Sequence, residues 1–167
     1  MRIRHISPSD DARLARIIRK SLRSKGLDIP GTAFFDPELD YLSAYYLADP
    51  ESRRYLVLAD EDDHAVGGVG LSRLSWDPLC AEVQKLYLAD YVKGHGLGRM
   101  LMEALEREAE AMGFSSMYLE THSNLQTAIA LYRSMGYVEV ERPEGAIHSA
   151  MDCFMRKEQI GVGPAES

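Results

Sequence analysis

The chain has 167 residues, 46% hydrophobic and 27% charged, which suits one globular domain and is too short for two ordinary ones. Its 19 basic and 26 acidic residues give a formal net charge of −7, with no basic stripe of the kind a nucleic-acid binder carries. No apolar run approaches the roughly 20 residues of a membrane span, and MRIRHISPSDDARLARII lacks the apolar stretch of a signal peptide, so a cytoplasmic protein is expected.

RIRHI, Arg2 to Ile6, alternates and predicts a first strand. Ser7 as N-cap and Pro8 at the first helical position then open a helix. It carries Leu14, Ile17, Ile18 and Leu22 on one face and stops at Gly26. The loop LDIPGTAFF leads to a second helix, DPELDYLSAYYLADP, capped by Asp36 and Pro37 and ended by Pro50. RRYLVLAD and HAVGGVGLSRL predict a hairpin across the acidic turn EDDH, and AEVQKLYLAD a further strand. GLGRMLMEALEREAEAMG is the clearest helix, with Leu97, Leu101, Leu105 and Ala109 as its buried stripe and Gly113 as its stop. SSMYLETH predicts a strand, LQTAIALYRSMG a helix, and YVEVE and SAMDCFMRK closing strands. This order predicts a single α/β domain over residues 1–157 around a mixed sheet, with 158–167 as a frayed tail. Cys80 and Cys153 read as buried thiols, and the five histidines do not join them at metal-ligand spacing, so no metal is expected.

The stretch KGHGLGR places Gly94, Gly96 and Gly98 at the mouth of the clearest helix. A helix N-terminus offers unpartnered N–H groups and a positive dipole end, where phosphate binds readily. Glycine removes the Cβ that would hold an anion off the backbone. A plain turn needs fewer glycines, so a phosphate cradle is the better reading. No Lys-Ser or Lys-Thr pair follows, which excludes the ATP-type loop. In the dinucleotide pattern G-x-G-x-x-G the third glycine would fall on Arg99 or Leu101; Glu120 at the end of the next strand keeps that reading open.

KGHGLGR resembles the Q/R-x-x-G-x-G/A loop of the GNAT acyl-CoA-dependent N-acyltransferases, with Lys93 in place of the usual Gln or Arg. AEVQKLYLADYVKGHGLGRMLMEALEREAEAMGF resembles that family's strand, loop and helix, and AIALYRSMGY its late helix. The resemblance implies a GNAT-like α/β domain: a mixed, mostly antiparallel sheet flanked by helices, with a splayed strand pair that binds acyl-CoA. It implies that Lys93, Gly94, His95, Gly96, Leu97, Gly98 and Arg99 bind the pyrophosphate of coenzyme A. It implies that the strand Leu86, Tyr87 and Leu88 parts from MYLETH and pairs with pantetheine, the N–H of Leu86 or a neighbour polarising the acetyl carbonyl.

Glu82 stands where several family members place a general base; the other reading is an edge carboxylate in a surface salt bridge. By period 2, Glu82, Gln84, Leu86 and Leu88 share one face unless a bulge intervenes. At roughly 3.3 Å per residue Glu82 is some 13 Å from Leu86, so a water relay is expected. Tyr132 resembles the family tyrosine that protonates the departing thiolate, against a plain core tyrosine. Asn124 lies one residue before the place of the family asparagine and is a candidate contact to pantetheine or pyrophosphate. In FFDPELDY, Phe35 and Asp36 are candidates to line a pocket for a cationic amine, against Asp36 as a helix cap. His148 is a candidate for the same pocket as binder or base, against a structural histidine.

The expected activity is acetyl transfer from acetyl-CoA to a primary amine of a small-molecule, amino-acid-like or peptide acceptor. Direct attack in a ternary complex is expected, because neither cysteine has a histidine–acid pattern near it. A non-catalytic acyl-CoA sensor and a dinucleotide-binding module are the alternatives. Neither nucleic acid nor membrane is an expected partner, and a homodimer is in keeping with the family.

Overall fold

The computed structural model describes residues 1–146 and 150–161. Strand β1 (Arg2–His5) leads through a 3-10 turn at Pro8–Asp10 into helix α1 (Asp11–Ser24). A 3-10 segment, Pro37–Tyr41, precedes the short helix α2 (Leu42–Leu47). Three strands follow, β2 (Arg53–Ala59), β3 (Ala65–Leu74) and β4 (Asp77–Leu88), then helix α3 (Leu97–Ala111). The chain continues through β5 (Ser116–Thr121), α4 (Gln126–Ser134), β6 (Val138–Val140) and β7 (Cys153–Lys157). The strands form one sheet in the order β1-β2-β3-β4-β5-β7-β6, antiparallel everywhere except between β4 and β5. The predicted mixed, mostly antiparallel sheet flanked by helices is what forms.

The amphipathic stripes decide which face each helix covers. Leu14, Ala15, Ile18 and Leu22 of α1 are buried with Leu39, Leu42 and Tyr46 on one face. Leu101, Met102, Leu105 and Ala109 of α3 are buried with Ile129 and Tyr132 of α4 on the other. Ile17 is only half-buried. Within the described part of the expected tail, 158–161, the chain is held to the domain. Ile160 is buried in the α3 face, and its N–H donates to the Ser115 carbonyl at 3.1 Å. Both cysteines are buried and free.

One departure from regular pairing positions everything that follows. Gly68 faces Tyr87 and Gly70 faces Gln84, so Val69 opposes both Lys85 and Leu86. This is a β-bulge, and Lys85 sits in it with φ 52°, in the left-handed region. The predicted one-face set is therefore corrected. Glu82 and Gln84 hydrogen-bond to each other, while Leu86 and Leu88 pack with Val83 against the α3 face and Tyr87 packs on the α1 face.

Close approach explains the glycines of β3. A Cβ on Gly68 would lie 2.5 Å from the Tyr55 ring and 2.7 Å from the Leu56 carbonyl oxygen. The backbone atom cannot rotate away. Gly68→Ala is expected to cost about 1–3 kcal/mol through overpacking, a fall in Tm of roughly 2–12 °C for a domain of this size. A thermal melt matching the wild type would show that β2 and β3 have slack there.

Candidate active site

Strands β4 and β5 pair over only four positions, Cys80↔Ser116 to Val83↔Leu119. Beyond them β4 stays on β3 as far as Gly67↔Leu88, and β5 stays on β7 as far as Thr121↔Cys153. The two strands part, and a cavity of about 500 Å³ opens between them. The mouth of α3 and the face of α4 complete its walls. Glu82, Leu86, Tyr87, Leu88, Lys93, Gly94, Gly96, Leu97, Gly98, Arg99 and Tyr132 all line it. The chain thus brings together most of the residues picked out from the sequence.

The cradle is built as its composition requires. Gly94 and Gly96 have φ 83° and 73°, where a side chain is strained, and a Cβ on either would meet nothing within 4 Å. Space is open over the backbone, and Gly96 is the N-cap of α3, whose first N–H groups have no carbonyl in the helix to reach. Such a site fits a phosphate group. Lys93 reaches Asp90 at 3.0 Å, and Arg99 donates to Ser134 Oγ, so both cations are held at the wall. His95 is exposed and is not part of the wall.

Tyr132 is 6% exposed, and burial pushes its phenol well above the ordinary value, so it keeps its proton. Its ring meets Tyr137 edge-on with centroids 5.9 Å apart. Glu82 is 8% exposed, and its Oε1 accepts from Gln84 Nε2 at 2.7 Å. It lines the cavity.

The acceptor-side expectations fare differently. Asp36 stands at the N-cap position of the 3-10 segment, but its side chain makes no cap bond; it pairs with Lys85 at 2.8 Å. The reason is charge compensation. The Lys85 side chain is 4% exposed, and burial alone would lower its pKa, yet Asp36 and Glu38, the latter at 3.3 Å, raise it overall. Phe35 is 57% exposed, stacks on Phe34 and does not line the cavity. Asn124 turns away: its side chain donates to the Lys25 carbonyl at 3.0 Å, while Leu125 to Ala128 take up the wall. His148 lies outside the described residues.

The structure adds groups that sequence reasoning missed in this role. Glu120, noted only for a dinucleotide ribose, lines the cavity and accepts from the Tyr118 hydroxyl at 2.8 Å. Gln84 and Lys85 line it too. Period 2 from Glu82 indicated Gln84; nothing local indicated Lys85. Among the described residues one group gathers three side chains of metal-ligating type, Asp60, Asp62 and His64 on the β2–β3 turn, and none of them lines the cavity. No helix among the described residues is long and apolar enough to cross a membrane.

Comparison with known proteins agrees with this geometry. The model of the acetyltransferase (GNAT) family matches residues 19–137. The uncharacterized N-acetyltransferase YjgM of Escherichia coli K12 is 33% identical over 157 residues, which are 92% of this chain and 91% of that protein. A GNAT-family acetyltransferase from Staphylococcus aureus Mu50 superposes with a TM-score of 0.82 at 17% identity, over 93% of this chain and 97% of that one. The yncA structure from Salmonella typhimurium, a putative acetyltransferase with its cofactor acetyl-CoA, superposes with a TM-score of 0.73 at 21% identity, over 100% and 99%. At such identities the superpositions speak for the fold. The family match and the full-length relative settle the rest: this chain belongs to the GNAT acetyltransferase family.

Proposed function

We propose that the protein transfers an acetyl group from acetyl-CoA to a primary amine of a small-molecule or amino-acid-like acceptor, by direct attack in a ternary complex. The observation that carries this reading is the joining of two features in one cavity. A glycine cradle at a helix N-terminus opens into the gap between β4 and β5. The cradle suits a pyrophosphate, and the unpaired edges of Leu86–Leu88 suit a pantetheine arm. Bound there, acetyl-CoA supplies the activated acetyl thioester.

The side chains divide the remaining work. An incoming amine is protonated at neutral pH and lacks a usable lone pair. Glu82 and Glu120 at the acceptor end attract the ammonium, and Glu82 takes its proton, through a water where the distance demands it. The N–H of Leu86, next to the bulge, polarises the acetyl carbonyl. Tyr132 holds a proton that burial makes it keep at neutral pH, and it delivers that proton to the departing sulfur. No cysteine is needed as a nucleophile, in keeping with the raised thiol of Cys80, which burial pushes up first of all.

The decisive measurement is thiol release from acetyl-CoA across a library of primary amines. Coenzyme binding with no release for any amine would favour a sensor instead. Coenzyme A at a hundredfold excess over its Kd should stabilise the fold by about 2.7 kcal/mol. Gly96→Glu should remove that shift, because it sets a carboxylate against the pyrophosphate. A Gly96→Glu protein that binds coenzyme A normally sinks the cradle.

Tyr132→Phe should lower kcat by roughly 10- to 1,000-fold with little change in acetyl-CoA affinity. An unchanged kcat would make Tyr132 a packing residue only. Glu82→Gln should lower kcat/KM for the amine by roughly 100-fold at pH 7, and by less at pH 9, where more amine is already neutral. A wild-type rate and pH profile in that variant would place the base elsewhere, with Glu120 the next carboxylate to test.

A further inference from the structure

A chain of hydrogen bonds runs behind Glu82 into the core. Tyr46 on α2 is 1% exposed, and its hydroxyl donates to Gln84 Oε1 at 2.7 Å. Gln84 Nε2 donates in turn to Glu82 Oε1 at 2.7 Å. A carboxamide has one accepting end and one donating end. With the accepting end taken by Tyr46, the donating end must face Glu82.

The polarity of this chain depends on the charge of Glu82. Reversing the amide would set its oxygen against an ionised carboxylate, two acceptors with no proton between them. That arrangement is tolerable only when Glu82 is protonated. Tyr46 would then have to accept, and a phenol oxygen accepts less well than its O–H donates. Burial pushes the Tyr46 phenol well above its ordinary value, so the donor proton is present throughout the working pH range. The arrangement with the best donor in use is the one with Glu82 charged.

The fold makes room for this contact. Gly70 pairs with Gln84 across β3 and β4, and a Cβ on Gly70 would lie 2.7 Å from Tyr46 Oη and 2.8 Å from its Cζ. Tyr45 and Tyr55 hold the Tyr46 ring, with centroids at 4.9 and 5.1 Å. Tyr55 in turn donates to the Lys85 carbonyl at 3.0 Å, at the bulge itself. The tyrosine is thus locked to the strand that carries Glu82.

We propose that Tyr46 is a positioning residue for acetyl transfer: acting through Gln84, it fixes the amide polarity that aims Glu82 and keeps its carboxylate ionised at the cavity wall. This rests on the reading of Glu82 as the base. Among the described residues, the other charged and titratable groups on this side include Lys85 with Asp36 and Glu38 by the bulge, and Tyr118, Glu120 and Arg142 towards β5. They set the background potential. Among the described residues, the side chains hydrogen-bonded to the Gln84 amide are Tyr46 and Glu82, so none of the others chooses its direction.

The test is a pH titration by NMR of protein labelled with ¹³C at the glutamate carboxyls. The Glu82 signal is the one missing from Glu82→Gln. In Tyr46→Phe its midpoint should rise by about 0.5 to 1 unit, the worth of one hydrogen bond. Gly70→Ala keeps the hydroxyl but drives it off Gln84, and should move the midpoint the same way. With the best amine from the library screen, the acid limb of kcat/KM should shift in step, and the rate should approach wild type at high pH with KM for acetyl-CoA unchanged. A purely structural loss would lower the rate evenly and leave the midpoint in place. An unmoved midpoint in both variants overturns the proposal and leaves Glu82 as the base. A Glu82→Gln enzyme with wild-type rate and pH profile removes the base assignment and the proposal with it.

Discussion

The parting of β4 from β5 is the constraint on which the rest of the molecule turns. A strand edge left unpaired inside a protein strands N–H and C=O groups that must find partners. Here the edge is kept apart by the bulge at Lys85. A left-handed lysine costs on the order of 1–2 kcal/mol, and burying its ammonium costs more. Asp36, Glu38 and the Tyr55 hydroxyl hold the residue in place from both its side chain and its carbonyl. A buried ion pair of this sort contributes geometry more than stability. It ties the segment before α2 to the point where the strand turns away.

Glycine serves two unlike purposes within thirty residues of chain. In the loop before α3 it supplies backbone conformation and open space at Gly94 and Gly96. In β3 the conformation is ordinary strand, and Gly68 and Gly70 instead make a floor for the rings of Tyr55 and Tyr46. The aromatic slab thereby sits close enough to β4 to bond Gln84 and the Lys85 carbonyl. One set of glycines leaves open space at the helix mouth, and the other admits the side chains that brace the wall facing it.

Much of this was legible in the sequence, for reasons that can be named. Helical stripes such as Leu101, Leu105 and Ala109 report burial directly, because their period matches the geometry of a helix. The open turn at KGHGLGR is readable because three glycines before a helical stripe mark backbone that turns without side chains. The bulge was not readable, since a lysine in the left-handed region carries no local signal and period 2 assumes a regular strand. Asp36 before Pro37 reads as a cap, and only the fold reveals that a buried ammonium from β4 claims it. Tyr46 and Gln84 are 38 positions apart, beyond the reach of any motif. Ile160 looked like tail because its burial depends on a carbonyl from Ser115 and the α3 face.

The cavity is electrically graded from one end to the other. At the end of β4 lie a helix N-terminus, Lys93 and Arg99, all favouring anions. Six residues back along β4, at most about 20 Å away, lies Glu82, and Glu120 lines the cavity from β5; both carboxylates favour a cation. The net charge of −7 is therefore a poor guide to the site, which presents both signs at fixed places. Between these ends, besides the Lys85 ammonium paired to Asp36 and Glu38, the walls carry apolar side chains and buried phenols, where water screens charge poorly and a proton on Tyr132 is held firmly. Low polarity strengthens the field of each charge, and the order of the two signs gives the cavity one end that favours an anion and another that favours a cation.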